Sequence, residues 1–342
     1  MNDFICYHAI AAKTQSRKHI LLNPADWEQL LNFSTTEQII NFIKNKEGYK
    51  EYFEPSTEQF HRHQLELALE KLLVGEVERM MHYMTAHYKK LFKVILMKYE
   101  IHDLQLIFRG ISKGESLNLV YPYFIHSTKF ENLPFEKIVE CKNVKEVVES
   151  LQNTIFYKPL KNLSKEDLKT RQWHMEMQMN NLLYKSLYEQ ASWLEETDKE
   201  VMLRIIGIKV DCINIEWIYR AKKYYNISNE EILLFSLNQG YKIKYNSLKK
   251  LVYAENSQQF KKMCEQFMNT TIFDFEDELL EKCLNKIFYD SLNKKENMVG
   301  IGSLIGYIYK LEMEQKDVVA IAEGLRYKLS HEEIKTYLIN IT

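Results

Sequence analysis

One stretch occurs three times in this chain, and its spacing limits what the chain can fold into. It reads Glu100-Ile-His-Asp103-Leu-Gln-Leu-Ile-Phe-Arg109, then Asp211-Cys-Ile-Asn214-Ile-Glu-Trp-Ile-Tyr-Arg220, then Glu314-Gln-Lys-Asp317-Val-Val-Ala-Ile-Ala-Glu323. Each copy sets an acid three residues before an Asp or Asn, apolar residues one and four positions beyond it, and a charged residue six beyond. The copies lie 111 and 103 residues apart. That is too long for a short-period solenoid and right for three copies of a small helical lobe.

Asp103, Asn214 and Asp317 have the short side-chain oxygens of N-cap residues, so each is expected to start a helix after a hinge. The pairs Leu104/Ile107, Ile215/Ile218 and Val318/Ile321 then share one face of that helix. The acids Glu100, Asp211 and Glu314 complete the junction as structural residues. Arg109 and Arg220, at matched positions, are candidates to line a shared polar concavity, with Glu323 in their place in the third copy.

The rest of the chain is consistent with helices alone. Only five prolines occur and none follows Pro159, which leaves 183 residues without the strongest helix breaker. A module of two short helices precedes each long helical stretch: Trp27–Leu31 with Ser34–Ile43, Phe135–Ile138 with Asn143–Leu151, and Leu248–Leu251 with Ser257–Met263. Ser34 and Glu37 read as a capping box. Apolar residues from Leu65 to Tyr99 step by three or four over some ten turns, which predicts a single helix of roughly 50 Å. The second and third long stretches are expected to break at Glu195–Lys199 and near Asn293–Gly300.

Chemistry-bearing motifs are mostly missing. Lys and Arg number 46 against 47 Asp and Glu, so no whole-molecule field draws the chain to nucleic acid or an anionic membrane. The five cysteines form no C-x-x-C pair, which fits core thiols in a reducing compartment. The N-terminus lacks a basic region before its apolar run, and Met298–Tyr309 is too short to span a bilayer, so a soluble protein is expected. Gly300-Ile-Gly302-Ser-Leu-Ile-Gly306 has its third glycine one position late for a dinucleotide fingerprint and reads better as a helix start with close packing at Gly302 and Gly306. His82 and His87 are five apart, on different helix faces, and the His61-Arg-His63 cluster is a weak ligand candidate. No cofactor, metal or catalytic residue is assigned.

The three junctions, the stretch Gly302–Tyr307 leading into Glu312–Glu323, and the N-terminal segment Tyr7–Arg17 together resemble the C subunit of A/V-type rotary ATPases, the equivalent of the d subunit of vacuolar ATPases. The resemblance covers nearly the whole chain. Departures are Lys13, where the family often has arginine, and the polar His102 and Gln315. The resemblance implies an all-α, funnel-shaped assembly of three pseudo-symmetric lobes, here 1–102, 103–213 and 214–342. It also implies a non-catalytic socket, cytoplasmic and held at the membrane through its complex, between the rotor ring subunits and the central-stalk subunits. A free-standing helical-repeat scaffold is the alternative, disfavoured by the long period. An α-helical enzyme with a site between lobes lacks a constellation of titratable groups.

Overall fold

Apolar residues every three or four positions become helix throughout. The computed structural model describes residues 11–53, 62–84, 86–170, 172–225, 227–273, 279–298 and 300–340, and every regular element among them is helical. The helices that organise it are α1 (Pro24–Asn32), α2 (Thr36–Asn45), α3 (Arg62–Met81), α4 (Ala86–Lys113), α5 (Phe135–Ile138), α6 (Val144–Ser150) and α7 (Gln172–Ala191). They continue as α8 (Glu196–Tyr224), α9 (Asn229–Phe235), α10 (Tyr245–Val252), α11 (Ser257–Met268), α12 (Leu280–Leu292), α13 (Ile301–Arg326) and α14 (His331–Tyr337). Of the Tyr7–Arg17 segment, residues 11–17 are helical and the remainder lies outside the described residues, as does His61.

The frame is six helices in three consecutive pairs, α3/α4, α7/α8 and α12/α13. The second member of each pair also packs on the first member of the next: α4 on α7, α8 on α12, and α13 back on α3. The last contact closes the circuit. Its core carries Leu104, Ile107, Ile215, Ile218, Val318 and Ile321, all buried on the face their spacing implies. Each such side chain contributes about 1.5–3 kcal/mol of burial. Five of the short helices, α1, α6, α9, α11 and α14, start at side-chain caps, with Asn23, Asn143, Ser228, Asn256 and Ser330 each accepting from the third residue of its helix.

Three local readings are corrected. The stretch Leu65–Tyr99 is two helices, α3 and α4, joined by a turn at His82–Tyr83, with Ala86 at φ +42°. Apolar spacing runs on through the turn, so periodicity alone does not reveal it. The break between α7 and α8, one repeat later, marks the same place. The capping box at α2 is Thr35 with Gln38, one residue beyond Ser34 and Glu37, a register that buries Ile39, Ile40 and Ile43. A methyl group at Gly302 would sit 2.2 Å from the Asn297 carbonyl oxygen, so close packing holds there, while Gly306 faces open space.

Candidate functional site

The junction residues do not start helices. Asp103, Asn214 and Asp317 lie inside α4, α8 and α13, helices of 28, 29 and 26 residues, and are at most 1% exposed. Their oxygens do accept backbone N–H groups, but from a returning loop. Asp103 accepts from Ile125 (3.0 Å) and His126 (2.9 Å), Asn214 from Leu237 (2.8 Å), and Asp317 from Ile339 and Asn340 (both 2.8 Å). In all three copies the partner stands 22 or 23 residues on. The hinge reading fails because the capping chemistry is spent across space, on the segment that folds back along the helix.

The preceding acids do the same one turn earlier. Glu100 accepts from the Asn132 backbone and side chain, and Asp211 from the backbones of Lys242 (2.7 Å) and Ile243 (3.1 Å). Glu314 takes the corresponding bond from the other end of the chain, accepting from Leu22 N–H (2.7 Å) and from the Tyr49 hydroxyl (2.7 Å). Burial sets the protonation of these acids. It pushes Glu314 up to about 8, against the bonds from Tyr49 and Leu22 and with a further push from Asp317 and Asp26. Burial likewise raises Asp211 and Asp317 to about 6. Asp103 is also buried, yet hydrogen bonds from His102 and His126 hold it below the ordinary range.

Two residues before each acid stand Lys98, Lys209 and Glu312. These matched positions meet electrostatically. Lys98 pairs with Glu312 at 2.7 Å, and Lys209, which donates to Asn285 at 3.2 Å, also acts on that carboxylate. Burial alone would raise Glu312, but Lys98, Lys316 and Lys209 outweigh it and hold the carboxyl at about 2. Burial lowers Lys209, partly offset by Glu312. Beside them opens a cavity of about 730 Å³ between α3, α4, α12 and α13, lined by Glu70, Lys98, His102, Glu312, Gln315 and Lys316 among others.

Counting from Lys98, positions 4, 7 and 11 residues on fall within a narrow band of the same helix face, which carries the row about 16 Å along the axis. In α4 this row is Lys98, His102, Gln105, Arg109; in α8, Lys209, Ile213, Glu216, Arg220; in α13, Glu312, Lys316, Val319, Glu323. Arg109 and Arg220 are exposed. They do not touch one another: Arg109 reaches only the Gln105 carbonyl at 3.4 Å among the described residues, and Arg220 pairs with Glu216 at 2.8 Å. Glu323 pairs with Arg62 at 2.7 Å and with Arg326 at 3.2 Å. Sequence reasoning singled out the row's last members and missed its first. The signal was present in the repeat itself, extended two residues towards the N-terminus.

A second buried cluster was also missed. Glu76 of α3 accepts from Arg17 Nε (3.0 Å), Tyr307 (2.9 Å) and Arg79 (3.4 Å), tying the first helical segment and α13 to α3. Among the described residues no group of three or more His, Cys, Asp or Glu forms a metal site, and no helix is long and apolar enough to cross a membrane.

A family model for the ATP synthase (C/AC39) subunit matches residues 10–337. The chain belongs to that family. Relatives of this AC39-type chain that carry the name of the C subunit of A-type ATP synthase occur in Methanocaldococcus jannaschii (24% identical over 99% of this chain and 88% of the relative) and Archaeoglobus fulgidus (23%, 96% and 95%). One in Methanosarcina mazei is 22% identical, covering 98% of this chain and 93% of its own length.

Proposed function

We propose that this chain is the C subunit of an A/V-type rotary ATPase and works as a mechanical socket. Its three lobes surround a central cavity that receives the end of the central stalk, while the opposite face rests on the membrane rotor ring. The protein performs no chemistry. It turns with the rotor and couples nucleotide hydrolysis or synthesis to ion movement, on the cytoplasmic side of the membrane.

The observation that carries this reading is the matched polar row on α4, α8 and α13, whose first members gather at one carboxylate beside the cavity. Helices that present equivalent positions towards one axis suit a part that holds a shaft. The helix contacts support lobes that divide differently from 1–102, 103–213 and 214–342. Two are continuous, α4 to α7 and α8 to α12, and the third joins α13 and α14 to the N-terminal helices α1 to α3 through Glu314–Leu22, Glu76–Tyr307 and Arg62–Glu323. The test is to tag the chain in its own cell, solubilise the membranes in mild detergent and identify what co-purifies. Ring and stalk subunits together support the socket; recovery of the chain without either set overturns it.

A further inference from the structure

The cavity between α3, α4, α12 and α13 offers donors and has few acceptors left. Of the five carboxylates that line it among the described residues, four are paired within the chain: Glu66 with Arg62 (2.6 Å), Glu281 with Lys316 (3.4 Å), Glu312 with Lys98 (2.7 Å) and Asp317 with the backbones of Ile339 and Asn340 (both 2.8 Å). The fifth, Glu70, has no hydrogen-bond partner among the described residues, and burial pushes its carboxyl up, towards the neutral form that donates. Two donors of the lining are unmet. Gln315 is 6% exposed, and its side-chain nitrogen has no partner among the described residues. Tyr99 is 4% exposed, and its hydroxyl has none there either. Gln315 also breaks the repeat: two residues before the junction Asp or Asn, α4 has Ile101 and α8 has Cys212, both buried. An unmet buried donor destabilises the empty chain, and the other two helices avoid it with an apolar residue.

We propose that this cavity takes the carbonyl end of a helix, the last turn of a central-stalk subunit, and that Gln315 and Tyr99 donate to its unpaired oxygens. This rests on the socket reading above. The last four C=O groups of a helix have no partner within it, so a helix end brings the acceptors that the lining lacks, whereas the flank of a helix brings none. The soft terminal torsion of a glutamine lets the Gln315 amide swing onto such an oxygen. The negative end of the helix dipole is favoured beside Lys98 and Lys316, which line the same cavity. Leu67, Leu73, Val319 and Ala320 on the walls of this space of about 730 Å³ take the apolar side chains of the turn.

The test compares the full-length parent with Gln315→Met and Tyr99→Phe, in urea unfolding of the free chain and in affinity for the purified central-stalk subunits of the same cell by biolayer interferometry. Neither the amide nitrogen nor the hydroxyl is bonded in the empty chain, so both variants should be at least as stable as the parent, yet bind the stalk about tenfold more weakly. A structural role moves stability and affinity down together; this role moves them apart. A photo-crosslinking phenylalanine analogue in place of Tyr337, which is exposed and lines the cavity, then identifies the occupant by mass spectrometry. Crosslinks to the last turn of a stalk helix support the proposal; crosslinks only along a helix flank, or none in a formed complex, overturn it. Parental affinity in either stable variant overturns the proposal and leaves the socket standing. A parent that binds no stalk subunit overturns the socket, and the proposal with it. Should Gln315→Met lose stability, Tyr99→Phe alone decides: weaker binding at parental stability supports the proposal and parental affinity refutes it.

Discussion

Glu314 ties the two ends of the chain together, and its protonation should be visible in the pH dependence of stability. Glu314 is 4% exposed, and burial pushes its carboxyl up to about 8 in the folded protein, against 4.5 when free. The folded state therefore keeps a proton that the unfolded state has released. Stability from this group is fully present below pH 4.5 and is lost as pH rises towards 8. At about 1.4 kcal/mol per tenfold, the gap sets a ceiling of about 5 kcal/mol. Glu314→Gln is the isostere of the protonated acid: its carbonyl accepts from Leu22 N–H, and its amide donates to the Tyr49 oxygen. Urea unfolding followed by circular dichroism from pH 5 to pH 8.5 is the assay. Parent and variant should match near pH 5, and the variant should be more stable by up to about 5 kcal/mol at pH 8.5. Asp211 and Asp317, raised to about 6, leave a slope below pH 6 in both proteins, so the window above pH 6 isolates Glu314. Parallel profiles above pH 6 would refute the account of this contact.

Other perturbations test other contacts. Asp103→Ala strips the buried N–H groups of Ile125 and His126 of their acceptor and should cost about 3–5 kcal/mol, while Asp103→Asn, the residue used naturally at Asn214, should cost less than half of that in thermal unfolding. Gly302→Ala forces a methyl group onto the Asn297 carbonyl and should lower the melting temperature, whereas Gly306→Ala, in open space within a helix, should raise stability by about 0.5–1 kcal/mol; differential scanning fluorimetry separates them. Lys98→Met removes the nearest cation from Glu312, so that carboxyl should titrate above its present value of about 2. A depressed carboxylate stabilises above its free pKa and loses that contribution as pH falls, so the variant should gain less stability than the parent between pH 2 and 5, by urea unfolding at fixed pH.

The helical class and the threefold repeat were legible because both are written in short-range spacing: apolar residues at three and four, and an acid three before an Asp or Asn. Leu104/Ile107 and its counterparts show the pattern working, since one face had to be buried whatever the helices packed on. What Asp103 does was not legible. A cap at a helix start and a cap on a loop 22 residues away use the same oxygen, and only the loop's return path distinguishes them. The circuit of α13 onto α3 was equally hidden, because Glu314 with Leu22 and Glu76 with Tyr307 pair residues more than 200 apart. Arg109 and Arg220 were found as matched positions, and their inequality was also written in the sequence, since Glu216 stands four residues before Arg220 on one helix face where α4 has Gln105 before Arg109.

The central claim is that one copy of this chain joins two partners at once. Native mass spectrometry of the purified protein, mixed with the detergent-solubilised rotor ring and separately with the central-stalk subunits, measures this directly. The account predicts one copy per ring, one copy per stalk, and a ternary assembly when all three are present. A chain that remains monomeric in both mixtures would contradict it.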